Sequence, residues 1–223
     1  MMGQGMDIHF ETVRKDDDTA KLEQCRELCN QLMAHQQSKA VIAPEAFDGM
    51  NFDTRLAPSF RKSPLKHLVI AKDGETPVGY VFSTIESVSA GDKSTIPPWA
   101  PVRPDQRALG FYPDWGNGVA PDMVGCLNQL YITPPYRGAG LGDKLFDMAM
   151  AWIEGKHNGI DPVPMTFVYI SNGNDAALRF YLERGFVVSH DVYNGFITAA
   201  VRQNRYCTTA VEYKYHYSFR SEF

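Results

Sequence analysis

Between Ile8 and Val13 apolar and polar residues alternate with the two-residue period of a half-buried strand. The period changes after Asp16-Asp17-Asp18-Thr19. Apolar residues then recur at Leu22, Cys25, Cys29, Leu32 and Met33, which predicts an amphipathic helix with acidic residues at its start. Residues 44–62 read as a second helical stretch, with Pro44 placed for its first turn. His67–Lys72 reads as a strand, Gly74 as a hairpin turn and Pro77–Ser87 as a longer returning strand. Farther on, the pattern predicts a strand over Cys126–Thr133, a helix over Leu141–Glu154 and a buried strand over Met165–Ile170. Asn174–Arg184 reads as a short helix closed by Gly185, Phe186–Tyr193 as a strand, and Ala210–Tyr217 as a late strand candidate. No repeat and no boundary divides the chain, so the expectation is one mixed α/β domain, of α+β class, over residues 6–217.

Residues 87–125 stand apart. They hold six of the 14 prolines, five glycines, and both Trp99 and Trp115. Such a composition is incompatible with a regular helix or a central strand. Its aromatic residues predict an ordered flap inserted between two strands.

The 223 residues are 44% apolar and 22% charged, an ordinary globular mix. Basic residues number 22 against 26 acidic, a net charge of −4, which argues against a surface built for nucleic acid or anionic membranes. No run approaches the roughly 20 apolar residues that cross a bilayer. The N-terminus shows no basic segment followed by an apolar one. The expectation is a soluble, cytoplasmic protein. The four cysteines are too irregularly spaced for a disulfide framework, and Cys25 and Cys29, on one helix face, read as small core residues. The histidines and cysteines form no ligand-like spacing, so no metal is expected.

The segment that carries chemistry runs from Leu130 to Leu145, LYITPPYRGAGLGDKL. A strand enters a turn with glycines at 138, 140 and 142, and a helix leaves it with an apolar stripe at 141, 145, 148, 149 and 152. The glycines let the backbone approach a ligand closely, and the first amides of the helix point outward at the positive end of its dipole. Together they make a phosphate site, with the Arg137 guanidinium at its rim. A Walker A loop needs Gly-Lys followed by Ser or Thr, and a dinucleotide fingerprint needs G-x-G-x-x-G; the residues match neither. Downstream, Asn174 is a good helix N-cap, and Ala177 and Tyr181 share one face of the following helix.

These two segments resemble the GNAT superfamily of N-acetyltransferases. Arg137, Gly138, Ala139, Gly140, Leu141 and Gly142 match that family's R/Q-x-x-G-x-G/A pyrophosphate loop. Asn174, Ala177, Tyr181, Gly185 and Phe186 match its N-x-x-A-x-x-x-Y-x-x-x-G-F segment. The close match covers residues 126–186. The resemblance implies a strongly twisted mixed β-sheet flanked by helices, with central strands splayed around acetyl-CoA as co-substrate. By position, the amides of Arg137–Gly142 would hold the pyrophosphate. The backbone of Leu130, Tyr131 and Ile132 would pair with the pantetheine arm, and the Ile132 N–H would stabilise the tetrahedral intermediate. Asn174 would hydrogen-bond the arm, Ala177 would leave room beside the phenol, and Tyr181 would protonate the leaving thiolate.

An alkylammonium acceptor must lose a proton before it attacks. The family often carries an acid on the fourth strand for this; here Asn128 and Gln129 stand there, leaving Glu86, Asp114 and Asp122 as candidates. The resemblance implies transfer to a primary amine, and acids and aromatics in the 87–125 insert favour a small-molecule cation held by charge and cation–π contact. The alternatives are a protein amine as acceptor, a non-catalytic acyl-CoA sensor, or a nucleotide-binding module. The alternating run Tyr213–Tyr217 is able to pair with a second subunit as an exposed edge.

Overall fold

In the computed structural model, the residues described are 7–14, 19–88, 122–157 and 159–205. The elements are β1 (Ile8–Val13), α1 (Thr19–Glu23), α2 (Arg26–Lys39), a 3-10 turn (Pro44–Phe47), α3 (Leu56–Lys62), β2 (Leu65–Asp73) and β3 (Thr76–Ser87). After the insert come β4 (Met123–Ile132), a 3-10 turn (Pro134–Tyr136), α4 (Leu141–Ile153), β5 (Met165–Ser171), α5 (Asp175–Leu182), β6 (Val187–Val192) and β7 (Ile197–Gln203).

Among the described residues the strands form one seven-stranded sheet in the order β1-β2-β3-β4-β5-β7-β6. The first four pair antiparallel, β4 and β5 run parallel, and the remainder are antiparallel. Alternate residues point to opposite faces of such a sheet, and both faces are covered. On one face Val69, Ala71, Val81, Leu127 and Ile170 pack under α4 and α5 through Leu145, Phe146, Ala149 and Tyr181. On the other, Leu68, Ile70, Tyr80, Phe82 and Tyr131 pack under α1, α2 and α3 through Leu22, Cys29, Leu32 and Phe60. Cys25 and Cys29 lie fully buried in this second core as free thiols, and burial pushes both thiol pKa values up. A buried Arg202–Glu154 pair (2.7 Å) ties β7 to the end of α4.

Four expectations change. The first helix is interrupted at Gln24–Cys25, where the Gln24 and Cys25 amides donate three residues back and separate a five-residue α1 from α2. Within 44–62 only Pro44–Phe47 and Leu56–Lys62 are helical, because the Asn51 side chain accepts from the Asp53 and Thr54 amides and closes a turn between them. The insert is shorter than 87–125: Met123, Val124 and Gly125 pair with Ser87, Glu86 and Ile85, and residues 89–121 lie outside the described residues. The last described strand is Ile197–Gln203, which the alternation rule passes over because it lies between β5 and β6 with Ala199, Ala200 and Val201 all buried. The candidate at 210–217, with its proposed subunit edge, also lies outside the described residues.

His67 on β2 is buried and stacks on Trp152 of α4 (ring centroids 5.1 Å apart). Burial, with smaller contributions from Arg14 and His157, lowers its pKa from 6.5 to about 4. The unfolded chain takes up this proton first on acidification, so the contribution to stability is lost as pH falls from 6.5 and levels off below 4. The expected loss is at most about 3 kcal/mol. Urea midpoints measured between pH 7 and pH 4 test this: His67→Phe, which keeps an aromatic ring against Trp152, is expected to decline less steeply than the wild type.

Candidate active site

The site begins where two neighbouring strands part. Pairing between β4 and β5 joins Gly125 to Thr166, Cys126 to Phe167 and Leu127 to Val168, and stops there. Both strands continue, to Ile132 and to Ser171. The divergence coincides with a β-bulge: Ser83 pairs with Leu127 and Phe82 with Gln129, so Asn128 is an extra residue in β4. Beyond the bulge the register fixes where each amide points. Thr133 N–H donates to Val78 O (2.9 Å), and alternation then turns the Tyr131 amide toward β3 and those of Leu130 and Ile132 away from it, into the gap. Of the three residues expected to offer their backbone, two therefore face the opening. The side chains of Leu130 and Ile132 pack on the α4 and α5 side, and Tyr131 is buried on the other.

At the end of β4 the glycine turn delivers the chain into α4. Gly138 and Gly140 have φ of +79° and +76°, the left-handed region open to glycine, and a Cβ at either would meet no atom within 4 Å. Gly140 is the N-cap of α4 and supplies no side-chain acceptor, so the first-turn amides of the 13-residue helix are directed outward without a side-chain cap. Ala139 is exposed, Leu141 sinks into the core, and a Cβ at Gly142 would meet Ile132 and Phe180 at ordinary contact distance. Asp143, in that first turn, is ion-paired with Arg184, which offsets the one carboxylate that would oppose an anion there. Arg137 is turned back: its Nε donates to Ile132 O (2.9 Å) and its guanidinium lies 5.4 Å from the Tyr131 ring centroid.

Asn174 caps α5, its Oδ1 accepting from the Ala177 amide (3.4 Å). The helix ends in a Schellman arrangement: the Gly185 amide donates to Leu182 O, the Phe186 amide to Tyr181 O, and Gly185 takes a φ of +83°. Tyr181 is thereby fixed among Phe146, Phe180 and Phe186, with ring centroids 5.3–6.4 Å away. Burial raises its phenol pKa well above the usual value, Arg184 opposing only weakly, so the hydroxyl remains a proton donor throughout the physiological range.

On the opposite face the gap opens into a cavity of about 640 Å³. The bulge aims two successive amide side chains, Asn128 and Gln129, into it. Gln129 Oε1 accepts from the Tyr80 hydroxyl (2.7 Å). Asn128 Nδ2 donates to Thr84 Oγ1 (2.8 Å), which donates on to Glu86 Oε1 (2.8 Å). Of the three carboxylates considered from sequence, Glu86 lines this cavity; Asp122 is exposed at the start of β4, and Asp114 lies outside the described residues. Ser171, at the far end of β5, also lines the cavity, and its buried hydroxyl has no hydrogen-bond partner among the described residues. Among the described residues, no group of three or more His, Cys, Asp or Glu is arranged to hold a metal, and no helix is long and apolar enough to cross a membrane.

The family model for the acetyltransferase (GNAT) family matches residues 31–186. The chain belongs to that family. Its fold is similar to the PaiA N-acetyltransferase from Thermoplasma acidophilum in complex with coenzyme A, with a TM-score of 0.55 and 14% identity over 89% of this chain and 99% of that one. It is also similar to an acetyltransferase from Thermus thermophilus (TM-score 0.51, 17% identity, 89% and 99% covered). Another solved fold neighbour, PH1933 from Pyrococcus horikoshii, has a TM-score of 0.53 at 15% identity, with 89% and 99% covered. No curated protein sequence matches significantly. Across this GNAT sheet, the gap between β4 and β5 is a departure from regular pairing, with the core that holds Tyr181 on one face of the sheet and the cavity that Glu86 lines on the other.

Sequence reasoning missed Asn172. Its Oδ1 accepts from the Val41 and Ile42 amides (both 2.7 Å), and its Nδ2 donates to the carbonyls of Ile42 and Phe196 (both 3.1 Å). The available signal was an asparagine immediately after a buried strand, ahead of the capping Asn174. It fastens the segment after α2 to the open end of β5. Asn172→Ala removes all four bonds, of which the one to Phe196 O is buried, and is expected to cost about 1–3 kcal/mol in urea unfolding, against about 1 kcal/mol for Asn174→Ala at the helix cap.

Proposed function

We propose that this protein is an acetyl-CoA-dependent N-acetyltransferase that moves an acetyl group to the primary amine of a small molecule, in a single domain and in the cytoplasm. The observation that carries the reading is the unpaired edge of β4, which ends at an uncapped helix N-terminus on one side and borders a cavity with a carboxylate on the other. That cradle fits coenzyme A. Leu130 and Ile132 offer an antiparallel-strand edge to an extended arm carrying amides, and of the Arg137–Gly142 amides those from Gly138 on, with the α4 dipole, suit a pyrophosphate, the Arg137 amide donating to Pro134 O (3.2 Å). Asn174 and Ala177, at the N-cap and in the first turn of α5, are the further contacts expected for the arm. The T. acidophilum protein and an aminoglycoside N-acetyltransferase with a TM-score of 0.50 and 16% identity were both solved in complex with CoA, which supports the same assignment here.

When bound, acetyl-CoA supplies a thioester whose carbonyl carbon accepts the amine as its C–S bond breaks. The Ile132 N–H faces the gap and is placed to donate to the acyl oxygen as negative charge grows on it. Glu86 pairs with Val124, seven residues along β3 from the Gly79 that pairs with Ile132, so it receives the proton that the amine must shed through water in the cavity, with Thr84 and Asn128 holding its carboxylate by the relay described above. Tyr181, kept protonated by burial, supplies the proton that the departing thiolate requires. Its high pKa also means that it does not titrate within the working range, so a fall in activity at alkaline pH has another source. Glu86 stands one strand away from the acid usual in the family. Its presence favours an enzyme over a non-catalytic acyl-CoA sensor.

Tyr181→Phe is expected to lower turnover at least tenfold in a thiol-release assay, with acetyl-CoA affinity by calorimetry nearly unchanged. Unaltered turnover across the pH range would remove the acid role. Glu86→Gln, which keeps an acceptor for Thr84, is expected to lower kcat/KM about 100-fold at pH 7. That deficit should narrow as pH approaches the pKa of the amine, near 10, where the acceptor arrives already deprotonated. A deficit that stays constant with pH would assign Glu86 a structural role instead.

A further inference from the structure

The bulge in β4 places Asn128 and Gln129 side by side on the cavity wall, and the hydrogen bonds behind them fix which end of each amide faces inward. Tyr80 is fully buried, and burial keeps its phenol protonated. Its proton goes to Gln129 Oε1 (2.7 Å), which also accepts from the Cys29 thiol (3.8 Å). A carboxamide carries its acceptor on one side and its donors on the other. With Oε1 committed to the core, Gln129 turns Nε2 outward, and that nitrogen has no partner among the described residues. Asn128 is fixed the opposite way. Thr84 spends its one proton on Glu86 Oε1 (2.8 Å), so toward Asn128 it accepts, from Nδ2 (2.8 Å). The other Nδ2 hydrogen goes to Cys126 O (3.4 Å), which leaves Oδ1 without a partner among the described residues. The wall thus offers an acceptor from Asn128 and, beside it, a donor from Gln129, on two half-buried residues.

A neutral carboxamide matches that pattern, its oxygen accepting from Gln129 Nε2 and its N–H donating to Asn128 Oδ1. An ammonium group matches Asn128 but meets the Gln129 N–H with like polarity, and a carboxylate matches Gln129 but meets Asn128 Oδ1 in the same way. A site built to hydrogen-bond a polar group rejects the analogue that lacks it, because its own groups are then left unpaired. Gln129 pairs with Phe82 and Ile132 with Gly79, three residues farther along the ladder, so the two positions on β4 lie about 10 Å apart. A group held at Gln129 is therefore a short carbon chain away from an amine that meets the acyl group at Ile132.

We infer that the acceptor is a primary amine whose chain ends, several carbons on, in a carboxamide held between Gln129 Nε2 and Asn128 Oδ1. This rests on the acetyltransferase reading above, and it replaces an acceptor held by charge with one held by a neutral group. Gln129 is then a specificity-determining residue for the transfer, and Met33, Met50 and Phe82 on the same wall supply apolar contact for the carbon chain.

The test uses 4-aminobutanamide, 5-aminopentanamide and 6-aminohexanamide. Each is compared with its N,N-dimethylamide, which keeps the oxygen and loses the N–H, and with the alkylamine of the same chain length. The full chain is assayed for kcat/KM with acetyl-CoA and for heats of carboxamide binding with and without CoA. At one length or more the carboxamide is expected to exceed the alkylamine at least tenfold and the dimethylamide at least threefold. Gln129→Glu keeps an acceptor for Tyr80 but presents an acceptor where the donor stood, and it is expected to cut the carboxamide-to-alkylamine ratio at least fivefold. Reading the ratio cancels base activity that the new carboxylate adds to both substrates. No advantage of carboxamide over alkylamine at any of the three lengths overturns the inference, a result read on the wild-type chain and independent of how the variant folds. A Gln129→Glu effect equal on carboxamide and alkylamine overturns it too, and a dimethylamide that equals its carboxamide overturns the role of Asn128. Absence of both turnover and heat with all three carboxamides overturns it as well. Heat with a carboxamide but not with its alkylamine, without turnover, supports the amide site and counts against the transfer reading instead. Absence of any heat with CoA itself counts against the proposed function alone.

Discussion

Everything in this molecule that looks like chemistry follows from the parting of β4 and β5 after Leu127 and Val168. A sheet interior is an unusual place for a gap, because a buried backbone donor or acceptor without a partner costs about 1–3 kcal/mol. The single extra residue at Asn128 bends β4 away, and the register beyond it sends the amides of Leu130 and Ile132 into the opening. A fold that keeps such an edge within its sheet presents a ready-made place for one extended, hydrogen-bonding guest. In the proposed reading, the outward-facing amides at the start of α4 would take the anionic end of that guest, and the cavity on the other face would take a second molecule.

The gap persists because each strand is anchored independently of the other. On the β4 side, Gly125 lets Ile153 of α4 press against the strand; a Cβ there would lie 2.3 Å from Ile153 Cγ2. The Tyr80 hydroxyl fixes Gln129 just past the bulge. On the β5 side, Asn172 binds the end of the strand to the segment following α2. Gly173, with φ +73°, then passes so close to Lys39 that a Cβ would lie 1.9 Å from its carbonyl oxygen. These contacts pull β4 toward α4 and β3, and β5 toward α2 and β7. Closing the gap would mean breaking one set or the other.

The glycine turn, the N-cap at Asn174 and the stop at Gly185 were legible in the sequence because each is a local event, decided by residues within a few positions of one another. The sheet strands up to β6 were legible for a related reason: their faces differ, or they are apolar throughout. Strand β7 was not, because an inner strand lined with alanines has neither signature. The bulge was equally invisible, since Leu127-Asn128-Gln129-Leu130 reads as an ordinary interruption in a strand until β3 is laid beside it. Asn172 escaped for the same cause. Its partners lie on elements far away in the chain, and nothing in its immediate neighbours reveals that.

The base shows how such long-range placement changes the meaning of a local absence. On β4 alone, Asn128 and Gln129 are a loss, two amides where proton transfer calls for a carboxylate. Across the ladder, Glu86 lies on the adjoining strand, paired with Val124, four residues before Asn128. The bulge brings Asn128 within hydrogen-bonding distance of Thr84 and, through it, of Glu86. The amide then positions the carboxylate, and the charge stays on the same wall of the cavity. In the proposed reaction, an acid on β3 is separate from the backbone edge that would receive the coenzyme, so β4 would bind and orient while its neighbour moves the proton. That division of labour needs β3, β4 and the bulge together.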